Sequence, residues 1–398
     1  MNILISGAGI AGPTLAYWLL RHGFTPTLVE RAPRLRRGGY VVDFWGAGFE
    51  VAARMGLADE LKRIGYDIRE VRTVDARGHR VSGFRVDAFR EMSGGRYTSI
   101  ARGDLAAAIW RTLGDRVETL FGDHVASIDE DDGGVLVRFA HAGPRRFDLV
   151  IGADGLHSGV RGLAFGPRQR FELDLGYSVA AFEADGYRPR DELVYVGHGA
   201  PGRQIARFSM RDDRTMFLFV FAGERAPAEA MSDADAGKRF LHRQFDGAGW
   251  ECAGIMAAMD RCRELYFDRV SQIRMDTWSK GRVALVGDAA ACPSLLAGEG
   301  SSLAMTEAYV LAGELRDASG DHALAFRRYE QRLRGFIGDK QRAARKSGRA
   351  FAPRSAFGVF VRNQVMRTFA IPAVARWFVA RSLADHFELP DYPGTPPA

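Results

Sequence analysis

Cysteine is scarce in this sequence: Cys252, Cys262 and Cys292 are the only three in 398 residues. None belongs to a CxxC pair, and the nine histidines lack metal-ligand spacing. A disulfide framework and a metal centre are therefore not expected. So few cysteines in so long a chain predict a protein of a reducing compartment, the cytoplasm.

Lysine and long apolar runs are scarce as well. Only five lysines occur, so arginine supplies nearly all the positive charge behind the net +6, and this excess does not predict a nucleic-acid partner. The most apolar stretch, residues 365–383, contains three arginines and a proline. It predicts an amphipathic docking helix and no membrane span. A strand expected at residues 2–6 leaves no room for a signal peptide.

The first thirty residues read as strand, glycine turn, helix and second strand. In this βαβ unit Gly7 permits a tight turn, Gly9 admits a pyrophosphate close to the backbone, and Gly12 lets helix and strand pack closely. Glu30 ends the second strand, where a carboxylate can bind ribose hydroxyls. The predicted cofactor contacts of this unit are Gly7, Gly9, Ile10, Ala11, Gly12, Glu30 and Arg31.

Two later strands also end in an acidic residue. Residues 148–155 place Asp154 after an apolar strand, and residues 281–290 place Asp288 likewise, followed by Gly298 and Gly300. Ligands of open α/β sheets bind at the carboxyl ends of strands, which favours one cofactor touched by all three segments. Each motif alone also fits an ordinary turn or helix cap.

The pattern predicts a discontinuous first domain. Residues 171–276 read as short strands with polar turns, typical of an antiparallel sheet. We expect an α/β fold with a Rossmann-like FAD-binding domain, an inserted, mostly antiparallel substrate sheet and C-terminal helices. The expected boundaries are 1–70, 99–170 and 277–345 for the first domain, 71–98 and 171–276 for the β-rich domain, and 346–398 for a helical segment.

The three motifs in this order resemble the class A flavoprotein monooxygenases, the family of para-hydroxybenzoate hydroxylase. Residues 100–105 resemble the family's arginine-leucine element, in which the residue matching Arg102 approaches FAD. Residues 36–43 are similar to a segment of the tetracycline-inactivating monooxygenases, where the residue matching Asp43 lies near the flavin ring. The sequence departs from the family at Ala291, where histidine is frequent, and at Glu299, where glutamine is frequent.

The resemblance implies a chemistry carried by the flavin, so no catalytic side chain is named. NADPH or NADH reduces FAD, O2 reacts with the reduced flavin, and a C4a-hydroperoxide hydroxylates an aromatic or enolic compound, polyketides included. Such a protein needs no nicotinamide-binding Rossmann domain of its own. We expect a small-molecule substrate and a monomer or homodimer.

The substrate pocket is expected between the inserted sheet and the flavin. Its candidate lining residues are Phe208, Met210, Phe217 and Phe219, although one alternating set must pack on the far side of the sheet. Two other interpretations stay open: a flavin oxidase or dehydrogenase, which shares the cofactor site, and a non-catalytic flavin-binding redox module. A flavin halogenase is disfavoured because no Trp-x-Trp-x-Ile-Pro motif occurs.

Overall fold

The computed structural model describes residues 1–35, 40–223, 226–371, 373, 374, 376, 377 and 387–394. For residues 88, 89 and 346–350 it describes the backbone alone. Residues 36–39 of the segment similar to the tetracycline-inactivating enzymes lie outside this description. So does much of the docking helix expected at residues 365–383.

Within the described residues, eighteen strands form four sheets. The strands are β1 (Asn2–Ser6), β2 (Thr25–Glu30), β3 (Val41–Trp45), β4 (Glu70–Val74), β5 (Arg80–Arg85), β6 (Tyr97–Ala101), β7 (Glu118–Phe121), β8 (Val125–Asp131), β9 (Gly134–Phe139), β10 (Arg145–Phe147), β11 (Leu149–Gly152), β12 (Glu172–Asp185), β13 (Val194–Ala200), β14 (Arg203–Ser209), β15 (Arg214–Ala222), β16 (Tyr266–Ile273), β17 (Ser279–Lys280) and β18 (Val283–Leu285).

Thirteen α-helices are assigned in the same part of the chain. They are α1 (Ala11–Arg21), α2 (Gly46–Arg54), α3 (Ala58–Ile64), α4 (Asp87–Met92), α5 (Arg102–Arg111), α6 (Gly159–Ala164), α7 (Ala228–Ser232), α8 (Ala234–Phe245), α9 (Cys252–Arg261), α10 (Asp288–Ala291), α11 (Gly300–Asp317), α12 (His322–Phe351) and α13 (Ala356–Thr368).

The first sheet has six strands in the order β17-β18-β11-β1-β2-β7. All its pairs are parallel except β17 with β18. Its central strands are apolar because helices cover both faces: Ile3, Leu4 and Ile5 are fully buried. The parallel arrangement brings the carboxyl ends of β1, β11 and β18 to one edge, and the expected α/β fold with a Rossmann-like first domain is confirmed.

The second large sheet has seven strands in the order β16-β12-β15-β14-β13-β4-β5. Its pairs are antiparallel except β13 with β4, which are parallel. One face turns toward the first domain, where Phe208 and Met216 share a cluster with Trp45 and Tyr97. The strands thus come from residues 70–85 and 172–273, and the domain boundaries stay predictions.

The other face of this sheet is covered by α8 and α9, which the strand-and-turn pattern of residues 171–276 did not predict. Helix α8 has an Asp233 N-cap, whose carboxylate accepts from the Ala236 N–H at 2.6 Å. It buries Phe240, Leu241 and Phe245 at helical spacing. That spacing was the available signal for a helix in this segment.

The C-terminal helices pack against both the first domain and the seven-stranded sheet. Helix α11 runs from the first sheet's edge past α1, and α12 packs against it. Pro353 separates α12 from α13, since proline has no backbone N–H with which to continue a helix. Residues 387–394 return to α11, where Tyr392 packs against Gly313 and donates to Glu314 Oε1 at 2.8 Å.

Candidate cofactor site

The glycine turn after β1 is shaped by contacts that exclude side chains. A Cβ on Gly12 would lie 1.9 Å from the Gly7 carbonyl oxygen. Gly7 has a φ of +110°, and its Cβ would lie 2.5 Å from the Ala153 carbonyl oxygen. The turn and β11 therefore touch backbone to backbone. Ile10 and Ala11 are buried at the start of α1, below the turn.

Glu30 ends β2 and closes the same turn. Its Oε2 accepts from the Ala8 N–H at 2.8 Å, and its Oε1 accepts from the Ala32 N–H at 2.9 Å. Both bonds fix the carboxylate beside the turn at the position where ribose binding is predicted. Arg31 is exposed. Ribose contacts of Glu30 and Arg31 stay predictions.

The Asp154 carboxylate is occupied by its own loop. It accepts from Ser158 Oγ at 2.5 Å and from the Gly159 N–H at 2.9 Å, so it caps α6. Burial raises the pKa of Asp154, while these hydrogen bonds oppose the rise. A role in the turn and at the start of α6 therefore accounts for the hydrogen bonds of the Asp154 side chain in this structure. A contact of Asp154 with the cofactor stays a prediction.

Arg161 is a site residue that the sequence did not identify. It is buried and donates to the Ala289 carbonyl oxygen at 2.9 Å and to the Leu156 carbonyl oxygen at 2.7 Å. The guanidinium therefore ties the loop after β11 to α10. Desolvation lowers its pKa, and Asp154 opposes that fall.

Arg102 and Asp288 reach the same edge from two other elements. Nη2 of Arg102, at the start of α5, lies 3.7 Å from the place where a Gly9 Cβ would stand. Burial raises the pKa of Asp288, and the Arg102 guanidinium opposes that rise. The rings of Tyr40 and Tyr266 meet beside them, with centroids 5.7 Å apart. Burial raises the pKa of Tyr40 to about 12.

The turn that presents Asp288 rests on a buried acid, Glu307 of α11. Gly287 has a φ of +63°, and its N–H donates to Glu307 Oε2 at 2.7 Å. Tyr329 Oη lies 3.1 Å from the same carboxyl oxygen and 3.1 Å from the Leu285 carbonyl oxygen. Burial raises the pKa of Glu307 to about 8. Sequence reasoning missed this residue.

Gly298, Glu299 and Gly300 lie at the start of α11, and the surroundings of each residue account for its type. Gly298 is left-handed at φ +70°, and a Cβ on Gly300 would lie 3.7 Å from Asp288 Oδ1. Glu299, where the family often has glutamine, pairs with Lys340 of α12 at 3.1 Å. The extra negative charge is therefore compensated. At the other departure, Ala291 is buried and supplies no polar group.

Asp43 stands at the border between the two domains. Its Oδ1 accepts from Tyr97 Oη at 2.7 Å and from Ser99 Oγ at 2.5 Å. The carboxylate is exposed although both donors are buried. Burial and the negative charge of Asp43 raise the pKa of Tyr97, which keeps its proton on the phenol. Asp43 is thus a fixed acceptor facing an open space; its approach to a flavin ring stays a prediction.

Two of the predicted pocket residues are on the wrong face of the seven-stranded sheet. Phe217 and Phe219 belong to the cluster beneath α8 and α9, where the Phe219 ring meets Phe245 edge-on at 5.0 Å. Alternation along β15 sends Met216, Leu218 and Val220 to the opposite face. Phe217 and Phe219 therefore face away from the first domain, because α8 and α9, which were not predicted, cover the aromatic face of the sheet.

Phe208 and Met210 lie on the face that turns toward the first domain. Both are fully buried, and the Phe208 ring packs edge-on against Tyr66 at 5.3 Å. They therefore belong to the packed core where the sheet meets the first domain. The half-buried residues of that face are Tyr195, Gln204 and Leu218. Whether Phe208 and Met210 contact a substrate stays a prediction.

The face assignment predicts different effects for two neighbouring substitutions. Phe219→Ala should lower the free energy of unfolding by about 3–4 kcal/mol, because it leaves a cavity under α8. Leu218→Ala, at a half-buried position, should cost less than about 2 kcal/mol. Urea unfolding measures both, and FAD titration of the folded variants should give unchanged affinity for Phe219→Ala. Equal costs, or a changed FAD affinity for Phe219→Ala, would contradict the assignment.

The convergence of a glycine turn, a helix start and two further strand ends defines a dinucleotide-binding flavoprotein architecture. The family model described as FAD binding domain matches residues 1–326. A prokaryotic flavin-dependent monooxygenase is 36% identical over 344 residues, covering 85% of this chain and 86% of that protein. The FAD-dependent monooxygenase asL4 of Sarocladium schorii is 30% identical over 426 residues, covering 99% and 98%.

Among solved structures, the tetracycline destructase Tet(51) superposes with a TM-score of 0.83 at 33% identity, covering 98% of this chain and 99% of that one. The chain belongs to the FAD-binding domain family and, within it, to the flavin-dependent monooxygenases. It is an oxidoreductase with FAD as its cofactor, which confirms the resemblance drawn from the motifs.

Two other kinds of functional feature are absent from the described part of the chain. No three His, Cys, Asp or Glu side chains there are grouped so that they could hold a metal ion. No helix within the same residues is both long and apolar enough to cross a bilayer.

Proposed function

We propose that this flavoprotein consumes one NAD(P)H and one O2 to hydroxylate an aromatic or enolic ring compound, polycyclic polyketides included. One oxygen atom enters the substrate, and the other leaves as water as NAD(P)H is oxidised to NAD(P)+. The observation that carries the proposal is the meeting of the seven-stranded sheet with the strand ends of the first sheet. There the ring of Tyr266 lies 5.7 Å from the ring of Tyr40, beside Arg102 and Asp288.

In this proposal the strand-end residues hold FAD, the group that supplies hydride acceptance and oxygen activation. Gly7, Gly9 and Gly12 let the pyrophosphate approach, and Glu30 takes the ribose. Arg102 neutralises negative charge from its place beside Gly9 and Asp288. The eighteen-residue helix α11 begins at Gly300, and its N-terminal dipole faces the same space.

The substrate side is assigned to the sheet face that turns inward. Leu218, which is half-buried, presents apolar surface that excludes water from the reacting atoms, and Val220 is fully buried in the cluster beside it. Asp43, held by Tyr97 and Ser99, can accept a hydrogen bond from a phenol or enol hydroxyl. Resemblance to a tetracycline destructase supports a polycyclic substrate with such hydroxyl groups. The free thiols of Cys252, Cys262 and Cys292 support a cytoplasmic location.

The test combines a spectrum with oxygen accounting. Purified protein loaded with FAD should oxidise NADH or NADPH faster when one member of a panel of phenols and polycyclic enols is added. Under 18O2 that compound should gain one labelled oxygen per nicotinamide consumed. Asp43→Asn keeps the size of the side chain and removes its charge, so it should raise KM for the hydroxylated compound while FAD affinity is unchanged.

Other outcomes select the alternatives. Stoichiometric hydrogen peroxide with an unlabelled, oxidised product would indicate an oxidase. Tight FAD binding without stimulation of nicotinamide oxidation by any compound would favour a non-catalytic redox module. A label in the product with no effect of Asp43→Asn would keep the reaction and remove Asp43 from it.

A further inference from the structure

The positive charge of the chain is concentrated in one segment. Residues 340–384 contain ten Lys and Arg residues and no Asp or Glu, although the whole chain has a net charge of only +6. The remainder of the chain therefore has four more acidic than basic residues. The excess that looked dispersed in the overall composition is thus a local feature of the end of α12, of α13 and of the residues that follow.

Large apolar side chains are exposed in this same segment. Six of the eleven exposed large apolar residues in the described part of the chain lie between residues 357 and 377, with exposed fractions of 41% to 75%. These six side chains, the α13 patch, are Phe357, Phe360, Val361, Val365, Ile371 and Trp377. A concentration of this kind marks an interaction surface.

The geometry of α13 explains why these residues face outward. The helix packs one side against β13 and β5. On that side Arg362 lies over Gly199, where an added Cβ would stand 2.7 Å from its guanidinium nitrogens, and Met366 Sδ lies 3.6 Å from Thr73 Oγ1. Phe357, Phe360 and Val361 fall on the opposite side of the helical wheel, and the exposed Val365 lies at the edge of that side. The helix is therefore apolar on a face that the sheet does not cover.

Arginines border the α13 patch, and two of them donate to neutral carbonyl oxygens. Arg354 donates to the Gly176 carbonyl oxygen at 3.2 Å, and Arg367 donates to the Val81 carbonyl oxygen at 2.8 Å. Both partners are neutral. Arg376 lies 3.4 Å from Glu91, and both of these side chains are exposed, so this ion pair is weak. The border of the patch thus has a net positive charge.

We propose that the α13 patch docks the enzyme on an anionic lipid surface. Phenylalanine and tryptophan side chains flanked by arginine are the composition of helices that lie in the membrane interface without crossing it. A two-fold contact between two copies would set the same arginines against each other, which disfavours a dimer at this face. Because α13 also covers part of the sheet face that turns toward the cofactor domain, docking brings the interdomain space near the bilayer.

The experiment is flotation of the FAD-loaded enzyme with phosphatidylcholine vesicles, with and without about 30% phosphatidylglycerol. Binding to the anionic vesicles should exceed binding to neutral ones by at least about tenfold and should fall at high salt. The variant Phe360→Glu/Val365→Glu should lower binding to the anionic vesicles at least about tenfold. Its flavin spectrum should equal that of the wild type, since both positions are exposed.

A charge-matched variant on the first domain serves as control. Phe121→Glu/Leu163→Glu also changes two exposed apolar residues to acids, at the end of β7 and on α6, and should bind vesicles like the wild type. The proposal is overturned if the wild type floats with neither vesicle or if both double variants lose binding equally. It is also overturned if light scattering shows a dimer that Phe360→Glu/Val365→Glu dissociates, because the face would then join two copies.

Discussion

Gly12→Ala should reduce FAD affinity by at least about a hundredfold, since even a methyl group has no space at this position. An added Cβ on Gly12 of α1 would lie 1.9 Å from the Gly7 carbonyl oxygen, a backbone atom of the turn that no side-chain rotation can move away. Relief requires either α1 or the turn to move, and each movement separates the helix start from the site of the pyrophosphate. Fluorescence titration of the apoprotein with FAD measures the loss.

The matched control is Gly335→Ala on α12. A Cβ there meets nothing within 4 Å, and the residue is exposed on a helix. Alanine should therefore leave FAD affinity unchanged and stabilise the helix by up to about 1 kcal/mol. An apoprotein with Gly12→Ala that binds FAD as the wild type does would show that the turn adapts, and would remove the close-packing role assigned to Gly12.

The βαβ unit was predictable because its information is local. Gly7, Gly9, Gly12 and Glu30 lie within one run of thirty residues. The three glycines are required by the backbone of the turn, and Glu30 is required for its carboxylate at the end of β2. The joining of Asp154 and Asp288 to this unit needed the strand order as well. The sequence gives no strand order, and only the meeting of the three strand ends was inferred, from the rule that ligands bind at the carboxyl ends of strands. The sheet order β18-β11-β1 agrees with that inference.

The inserted sheet shows where pattern reading fails. Alternation along β15 is visible in the sequence, but it does not say which of two apolar faces meets the cofactor domain. Phe217 and Phe219 were placed on the wrong side because the helices that cover them, α8 and α9, were not predicted. Packing against helices distant in the sequence thus decided the roles of residues whose strand structure was correctly expected.

Buried acids are a second kind of failure. Glu307 stands in α11 with ordinary helical neighbours, and glutamate is common on exposed helix faces. Only the approach of Gly287 and Tyr329 in three dimensions makes it a support of the turn before Asp288. Arg161 is similar, since a surface arginine and a buried one have the same sequence signature.

Glu307 gives the second large prediction, a reversed pH dependence of stability. Its pKa is about 8 in the folded protein, raised by burial from an ordinary value of 4.5. Between these two values the unfolded chain releases a proton that the folded protein retains. The unfolding free energy should therefore fall by about 1.4 kcal/mol per pH unit across this interval because of Glu307 alone, and level off above it.

The hydrogen bonds at Glu307 favour its charged form, so the rise of its pKa comes from burial. Tyr329 has one hydroxyl proton and two acceptors at 3.1 Å, the Leu285 carbonyl oxygen and Glu307 Oε2. The phenol can therefore donate to Leu285 when the carboxyl group is neutral. Glutamine at position 307 can accept from the Gly287 N–H with its amide oxygen and has no proton to lose.

Three variants separate the charge of Glu307 from its contacts. Glu307→Gln should flatten the pH slope and be more stable than the wild type by a few kcal/mol above pH 8. Glu307→Ala should be less stable by about 2–4 kcal/mol near neutral pH and bind FAD about tenfold more weakly, because the Gly287 N–H loses its acceptor and Asp288 shifts.

Glu314→Gln changes a buried acid of the same helix that pairs with Arg332 and Tyr392, so it should lose stability without losing FAD affinity. Thermal unfolding and FAD titration across pH 5–9 measure all three. A wild-type slope that survives in Glu307→Gln would show that the carboxyl is ionised in the folded protein, and that its charge is stabilised by the turn it supports.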